Sequence, residues 1–518
     1  MPTVTEGIDY RKRVLVLLGL VLGFRLIYAA IFPVNPAGDE AYYWDWGRHL
    51  DYGYYSKPPF IAWLYAFVDW IGNGSLFAIR ATAAVLGTAS VYVLFRLTSE
   101  LFDARTGWTA AILALIAPAN SVLSFFLTID APLVLCWSIA LWSLWRYVSG
   151  SGKWGALVAL FLALAIGHLS KQMMMAFPIL AVLFMALGKR ARGFLKDPKL
   201  MVALFGSYLS LIPPLVWNAR HDWITFQHTS HHFETSSDGG NLILERLEDF
   251  LSFIGTQLGV LSPVVAVILF SVCLVGLKSI RTAPAAIRFL LVFGALPLAG
   301  MLLLALRQEL QPNWPAVFYV SGIALAAAWW CRMFSPSFPP AKWRKSYKSA
   351  IVLGLILVGY FYLSSMIFSS IGKPGHKADP NRRLMGHDLV AVELQKIRES
   401  IPGSDNMFLL AVGHRDTASH LAFGLPDQPK MYRWEIPGQI NSQYELWNNP
   451  FEDGFEGKDG IILVPDSGIV PGRLAKSFKN MERAGEFTVE YGYNKTRSFT
   501  VFVGKDLKRW PKERKVEK

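Results

Sequence analysis

Cysteine is scarce in this 518-residue chain: there are 3, Cys136, Cys273 and Cys331, each inside an apolar run or at its edge. The tail, residues 373–518, has none, so no disulfide can staple it and its stability must come from a packed core. Phosphate-binding and hydrolase signatures are missing too: no Walker loop, no Rossmann fingerprint, no serine-hydrolase elbow. There is no internal repeat and no low-complexity segment. The lack of an inverted repeat, and of a matched pair of Gly/Pro-broken apolar runs, weighs against a lipid or solute transporter. No convincing small-residue cleavage site precedes the first acidic segment, and Arg25 interrupts the first apolar run, so that run reads as an uncleaved span.

Apolar residues are abundant. They make up 53% of the chain, above the roughly 45–50% of soluble domains. Runs of about 17–25 apolar residues mark spans. They fall near 14–33, 76–97, 107–127, 131–148, 155–167, 173–187, 201–217, 250–277, 287–306, 315–330 and 350–371, about eleven in all. The expected architecture is a polytopic α-helical membrane domain, 1–372, followed by a soluble α/β domain, 373–518.

An odd number of spans puts the termini on opposite sides, and cations should then gather in alternate loops. One set of loops holds Arg11-Lys12-Arg13, Arg105, Lys153, Lys189-Arg190-Ala191-Arg192, Lys278, Arg281, Lys342 and Lys345. The other carries only scattered cations. The basic set is expected to be cytoplasmic, which places the N-terminus inside and the Asp39 segment and tail on the periplasmic side of an inner membrane. The net charge of +13 is therefore attributed to anionic lipid, not to nucleic acid.

In the tail the apolar runs shorten to strand length at 407–412, 460–464, 487–491 and 498–503, while 388–401 and 415–423 have helical spacing. At about 145 residues it is long enough to bury its own core.

Gly38-Asp39-Glu40-Ala41-Tyr42-Tyr43-Trp44 and Tyr54-Tyr55-Ser56-Lys57-Pro58-Pro59 follow the first span. Together they put two carboxylates and a lysine at a membrane edge. Group transfer needs a carboxylate to take or orient an acceptor proton and a cation to stabilise a departing phosphate. Asp39 and Glu40 suit the first task and Lys57 the second. A plainer reading also fits, since Gly38-Asp39 would start a helix well and the aromatic residues suit an interfacial belt.

Asp130 precedes Ala131-Pro132 and reads either as a helix start or as a second acidic group. Lys171 occupies a very short loop, as a snorkelling or phosphate-facing cation. Arg25, within a span, calls for a carboxylate partner or a wet cavity. Arg220 and the histidines His228, His231 and His232 suggest a flap over a headgroup site; their spacing does not match a zinc helix. The segment Arg307–Pro315 reads as structural.

Asp39-Glu40 after span one, Tyr55-Ser56-Lys57-Pro58 in the same loop, Asp130 after span three and Ser170-Lys171 after span five form a recognisable set. On these residues the chain, over about residues 10 to 370, resembles the GT-C membrane glycosyltransferases of the protein mannosyltransferase and aminoarabinose (lipid A) transferase type. The resemblance implies transfer of a sugar from a polyprenyl-phosphate donor to an envelope glycolipid or glycan such as lipid A. The alternative is a protein hydroxyl as acceptor. It implies that Asp39 is the essential acidic residue, with Asp130 and Glu40 as further catalytic candidates. Lys57 meets the donor phosphate, with Tyr55, Lys171 and Arg220 as further candidates. No metal ligand set is implied, although Asp39 and Glu40 could offer oxygens to a divalent cation such as Mg or Mn.

Overall fold

Long apolar helices dominate the described residues, 9–32, 34–231, 242–435, 440–466 and 468–511, of this computed structural model. Six are long and apolar enough to cross a membrane: Tyr10–Ile31, Leu76–Leu101, Asp130–Val148, Pro198–Arg220, Ala285–Ala305 and Ala341–Ser370. Four shorter apolar helices are Phe60–Gly72, Trp154–Ser170, Gln172–Leu187 and Phe318–Trp330. The first and last of the six long helices expose Leu20, Ile27, Ile31, Leu355 and Ile356, side chains that only lipid would cover without cost. The chain is a multi-pass membrane protein.

Two expected spans take a different form. The run 250–277 is a helix pair, Leu244–Leu261 and Pro263–Ser279, bent by 113°. Pro263 lacks an amide donor and steers Ser262 out of helical geometry, to a φ of 68°. The run 107–127 is broken in the same way before Pro118, into Ala104–Leu115 and Pro118–Leu123. The helix Phe60–Gly72 lies outside every expected span.

The chain divides into two compact units. One takes in the residues through Ile31, Lys57–Phe60 and Ile79–Phe361; the other takes in Phe32–Ser56, Ile61–Ala78 and the chain from Tyr362 on. In the first, Trp137 is the hub of an aromatic cluster, edge-on to Phe177 at 5.1 Å and to Phe318 at 5.5 Å between ring centroids. Apolar helices in lipid gain little from burial alone, so this close packing carries their association.

In the second unit a five-stranded sheet has the order β2-β1-β3-β5-β4. Its strands are β1 (Phe408–Val412), β2 (Met431–Trp434), β3 (Gly460–Pro465), β4 (Phe478–Gly492) and β5 (Lys495–Leu507). β1 pairs parallel with β2 and with β3, and every residue of β1 is buried, as a central parallel strand requires. β5 returns antiparallel to β3 and forms a hairpin with β4. Phe408, Leu410, Ile462, Val464 and Phe478 form the core of one face. The helices His387–Ser400 and Arg415–Gly424 match the expected helical segments; β2 was not expected.

This unit also contains the first acidic segment, which is not a loop. Gly38–Gly47 is a helix with eight of its ten residues buried, packed on Arg415–Gly424. Trp44 meets Phe423 edge-on at 5.0 Å, and its indole N–H donates to Asp69 Oδ1 at 2.8 Å. Gly47 is required where this helix crosses Phe60–Gly72, because a Cβ there would sit 2.9 Å from the Ala66 nitrogen. The Arg48 guanidinium donates to the carbonyls of Gln428 and Pro429 at 2.6 and 3.2 Å. Gln443 Oε1 accepts from the Tyr55 amide at 2.7 Å. The acidic segment and the tail thus share one fold.

Candidate active site

The expected site residues fall into two groups, one in each unit. In the second unit Asp39 sits in the first turn of Gly38–Gly47, where the helix dipole favours an anion. Its side chain is 50% exposed, and Oδ1 accepts from Arg415 Nη2 at 3.0 Å. Arg415 opens the helix Arg415–Gly424, which follows β1 through Gly413; the His414 side chain caps that helix by accepting from the Asp416 amide. The guanidinium lies 4.4 Å from the Tyr42 ring centre, a cation–π contact that limits its freedom. Burial pushes the Tyr42 phenol up to about 12, against the pull of Arg415, so the ring serves as a neutral platform at neutral pH.

Glu40 has the opposite environment. It is fully buried, and Oε2 accepts from the Ala37 amide at 2.9 Å, three residues back, satisfying a donor that the helix start leaves open. The adjacent carboxylates therefore face different partners. Among the described residues no group of three or more His, Cys, Asp or Glu side chains gathers as a metal site.

A third carboxylate, Asp45, accepts from Arg48 Nη2 and from the Tyr444 hydroxyl, each at 2.6 Å, and pins the far end of the same helix. Nearby, the His387 and His420 rings stack at 3.5 Å between centroids. His420 Nε2 lies 3.1 Å from the Pro36 carbonyl, just before the acidic helix. Burial, the neighbouring imidazole and Arg497, whose Nη1 lies 3.1 Å from His387 Nδ1, press His387 down to about 2. Burial also lowers His420. Tyr55 is buried in the same unit and its phenol is raised by burial.

In the first unit Asp130 begins the helix Asp130–Val148, and Lys171 sits in extended backbone where Trp154–Ser170 ends. Lys171 Nζ lies 2.8 Å from Asp130 Oδ1, with side-chain exposures of only 11% and 4%. Asn313 Nδ2 donates to Asp130 Oδ2 at 2.6 Å, so both carboxylate oxygens are engaged. Lys57 is half-buried in this unit. Arg220 is exposed at the end of Ile212–Arg220, where Trp217 stacks on His221 at 3.9 Å. His228 is half-buried on Ile224–His231; the His231 side chain and His232 lie outside the described residues. Arg25 donates to Asn120 Oδ1 at 2.6 Å and Thr88 Oγ1 at 3.2 Å, an amide and a hydroxyl within the helices.

Sequence reasoning missed Arg415 and Asn313. Arg415 lies 376 positions from Asp39, and Asn313 lies 183 from Asp130 in a segment read as structural. The one available signal was that each is a strong donor at a structural boundary: Arg415 opens a helix, and Asn313 falls between Pro312 and Pro315.

Residues 56–217 match the sequence family described as dolichyl-phosphate-mannose-protein mannosyltransferase. The lipid A galacturonosyltransferase RgtD of Rhizobium johnstonii is 26% identical over 441 residues, covering 84% of this chain and 87% of its own length. Among solved structures, ArnT from Cupriavidus metallidurans in the apo state aligns over 95% of this chain and 98% of its own, with a TM-score of 0.59 and 16% identity. The same enzyme bound to undecaprenyl phosphate aligns with a TM-score of 0.57, again at 16% identity. Over 95% of its length the chain therefore shares the ArnT fold.

Proposed function

We propose that this chain, a GT-C membrane glycosyltransferase of the protein mannosyltransferase and aminoarabinose transferase type, moves a sugar from a polyprenyl phosphate onto a lipid A-type acceptor. The reaction runs on the periplasmic face of the inner membrane. The acceptor reading is supported by the 26% identity to a lipid A galacturonosyltransferase, and the donor reading by the undecaprenyl phosphate bound to ArnT.

The observation that carries the chemistry is the contrast in environment around Asp39. Of Asp39, Glu40 and Asp130, it alone has a half-exposed side chain, with one oxygen fixed by Arg415. In the proposed reaction the acceptor hydroxyl attacks the anomeric carbon and the carbon–oxygen bond to the phosphate breaks. Asp39 takes the hydroxyl proton, and polyprenyl phosphate leaves with the bond's electron pair. One displacement inverts the anomeric configuration. A positioned base contributes about 10²–10⁴-fold to such a step.

The leaving phosphate gains charge, and on the strength of the family resemblance Lys57 is assigned to it, with Tyr55 and Arg220 as supporting donors. Glu40 acts by holding the helix start that aims Asp39. Asp130 and Lys171 act as a pair: with both carboxylate oxygens taken, Asp130 orients Lys171 and Asn313 instead of accepting a proton.

The test is purified enzyme given a polyprenyl-phosphate-linked uronic acid or aminosugar together with lipid A. Glycosylated lipid A by mass spectrometry, with equimolar polyprenyl phosphate released, is the expected result. Transfer to peptide hydroxyls and none to lipid A would replace the reading with the protein-acceptor one.

A further inference from the structure

A cavity of about 830 Å³ opens in the first unit, where the helices Asp130–Val148 and Ala176–Leu187 end and Ala285–Leu290 begins. Five cations line it: Lys189, Arg190, Arg192, Arg281 and Arg288. No carboxylate is among its lining residues. Its remaining wall is apolar apart from Ser149, with Trp145, Phe184, Leu187 and Phe194.

The cations are of two kinds. Arg288 is spent on the fold: it donates to the carbonyls of Ile280, Arg281 and Ala283 at 3.1, 3.3 and 2.7 Å and so shapes the turn that carries Arg281. Gly188 makes room for it, since a Cβ there would lie 3.0 Å from Arg288 Nη1. Arg192 is partly committed, its Nε donating to the Ala186 carbonyl at 2.9 Å. By contrast Lys189, Arg190 and Arg281 are exposed, and among the described residues their side chains enter no ion pair. An immobilised arginine thus supports three uncommitted cations over an aromatic floor. Topogenic charge needs only to be present in a loop; it does not need a shaped cavity with an apolar floor.

We propose that this cavity binds the phosphate headgroup of an anionic membrane phospholipid, with the uncommitted cations on the phosphate and the aromatic floor under the glycerol and upper acyl carbons. Basic pockets between membrane helices hold anionic headgroups in this manner, at about 1 kcal/mol for each Lys or Arg near the surface. The site is separate from the proposed transferase chemistry and does not depend on it.

The test uses the full chain in detergent and reads cardiolipin or phosphatidylglycerol retained by native mass spectrometry, with phosphatidylethanolamine as the zwitterionic reference. The double variant Arg190→Gln/Arg281→Gln should weaken anionic-lipid retention about 30-fold. The charge-matched control Lys342→Gln/Lys345→Gln, in another basic segment, should leave retention within about twofold of wild type. Equal losses in both doubles, or none in the first, would overturn the site. Displacement by millimolar inorganic phosphate would overturn the lipid assignment and point to a soluble phosphate instead. Thermal unfolding of each variant separates lost binding from lost fold.

Discussion

Asp39 and Asp130 each stand in the first turn of a helix and each touch a cation, yet their surroundings differ. Asp130 is sealed: a buried ammonium holds one oxygen and an amide the other. Asp39 is open, half exposed and held through one oxygen by a guanidinium that is itself braced on an aromatic ring. A buried carboxylate with both oxygens engaged organises its neighbours; one with a free edge toward solvent can meet a substrate proton. The number of committed oxygens, more than the residue type, separates the two roles.

The sharpest way to break that comparison is at Asp39. Asp39→Asn keeps the shape and one acceptor oxygen for Arg415 but removes the base, so transfer should fall about 10²–10⁴-fold with unfolding unchanged, read as product per enzyme beside a melting curve. The matching change at the sealed carboxylate should show up in stability instead. Asp130→Ala leaves the Lys171 ammonium buried without its counter-charge, a loss of about 3–5 kcal/mol, while Asp130→Leu with Lys171→Met should recover much of it. A double-mutant cycle that found no coupling between the two would undo the sealed-pair reading.

Arg415 tests the open half more finely. Arg415→Ala should slow transfer by about 10–100-fold, the scale of one charged hydrogen bond, and Arg415→Lys should restore part of it. In the Asp39→Asn background the same change should cost little, because the group it positions is already lost.

Acidification probes the imidazole stack. His387 is held neutral, far below its ordinary value, so the unfolded chain takes up a proton that the fold refuses. Stability should then drop as pH falls below about 6.5, by up to about 1.4 kcal/mol per pH unit, and His387→Phe should flatten that slope in thermal unfolding. The smallest effect belongs to Glu40: Glu40→Gln keeps an acceptor for the Ala37 amide and should stay active, while Glu40→Ala should cost about 1 kcal/mol of stability.

Much of this was legible beforehand where local pattern decides structure. The tail's two helices and four of its five strands follow from apolar spacing, and Asp39, Asp130 and Lys171 stand out because charge at a membrane edge needs a reason. β2 was hidden because it is four residues long and carries Arg433, whose charge is met by Glu445, twelve positions on. The exposed first half of β4, with Lys479, Asn480, Glu482 and Arg483, reads as a polar loop until its pairing with β5 is seen. The helix start at Gly38-Asp39 was legible, but the extent of Gly38–Gly47 was not, because burial on nearly all sides erases the amphipathic period. The partners that separate Asp39 from Asp130 come from distant segments, and no local pattern names them.

The most direct test is the release of polyprenyl phosphate from a polyprenyl-phosphate-linked sugar in the presence of lipid A, with wild type and Asp39→Asn compared at equal folded concentration. Stoichiometric release by wild type and almost none by Asp39→Asn is the expected result. Near-normal release by Asp39→Asn would contradict the assignment of the base.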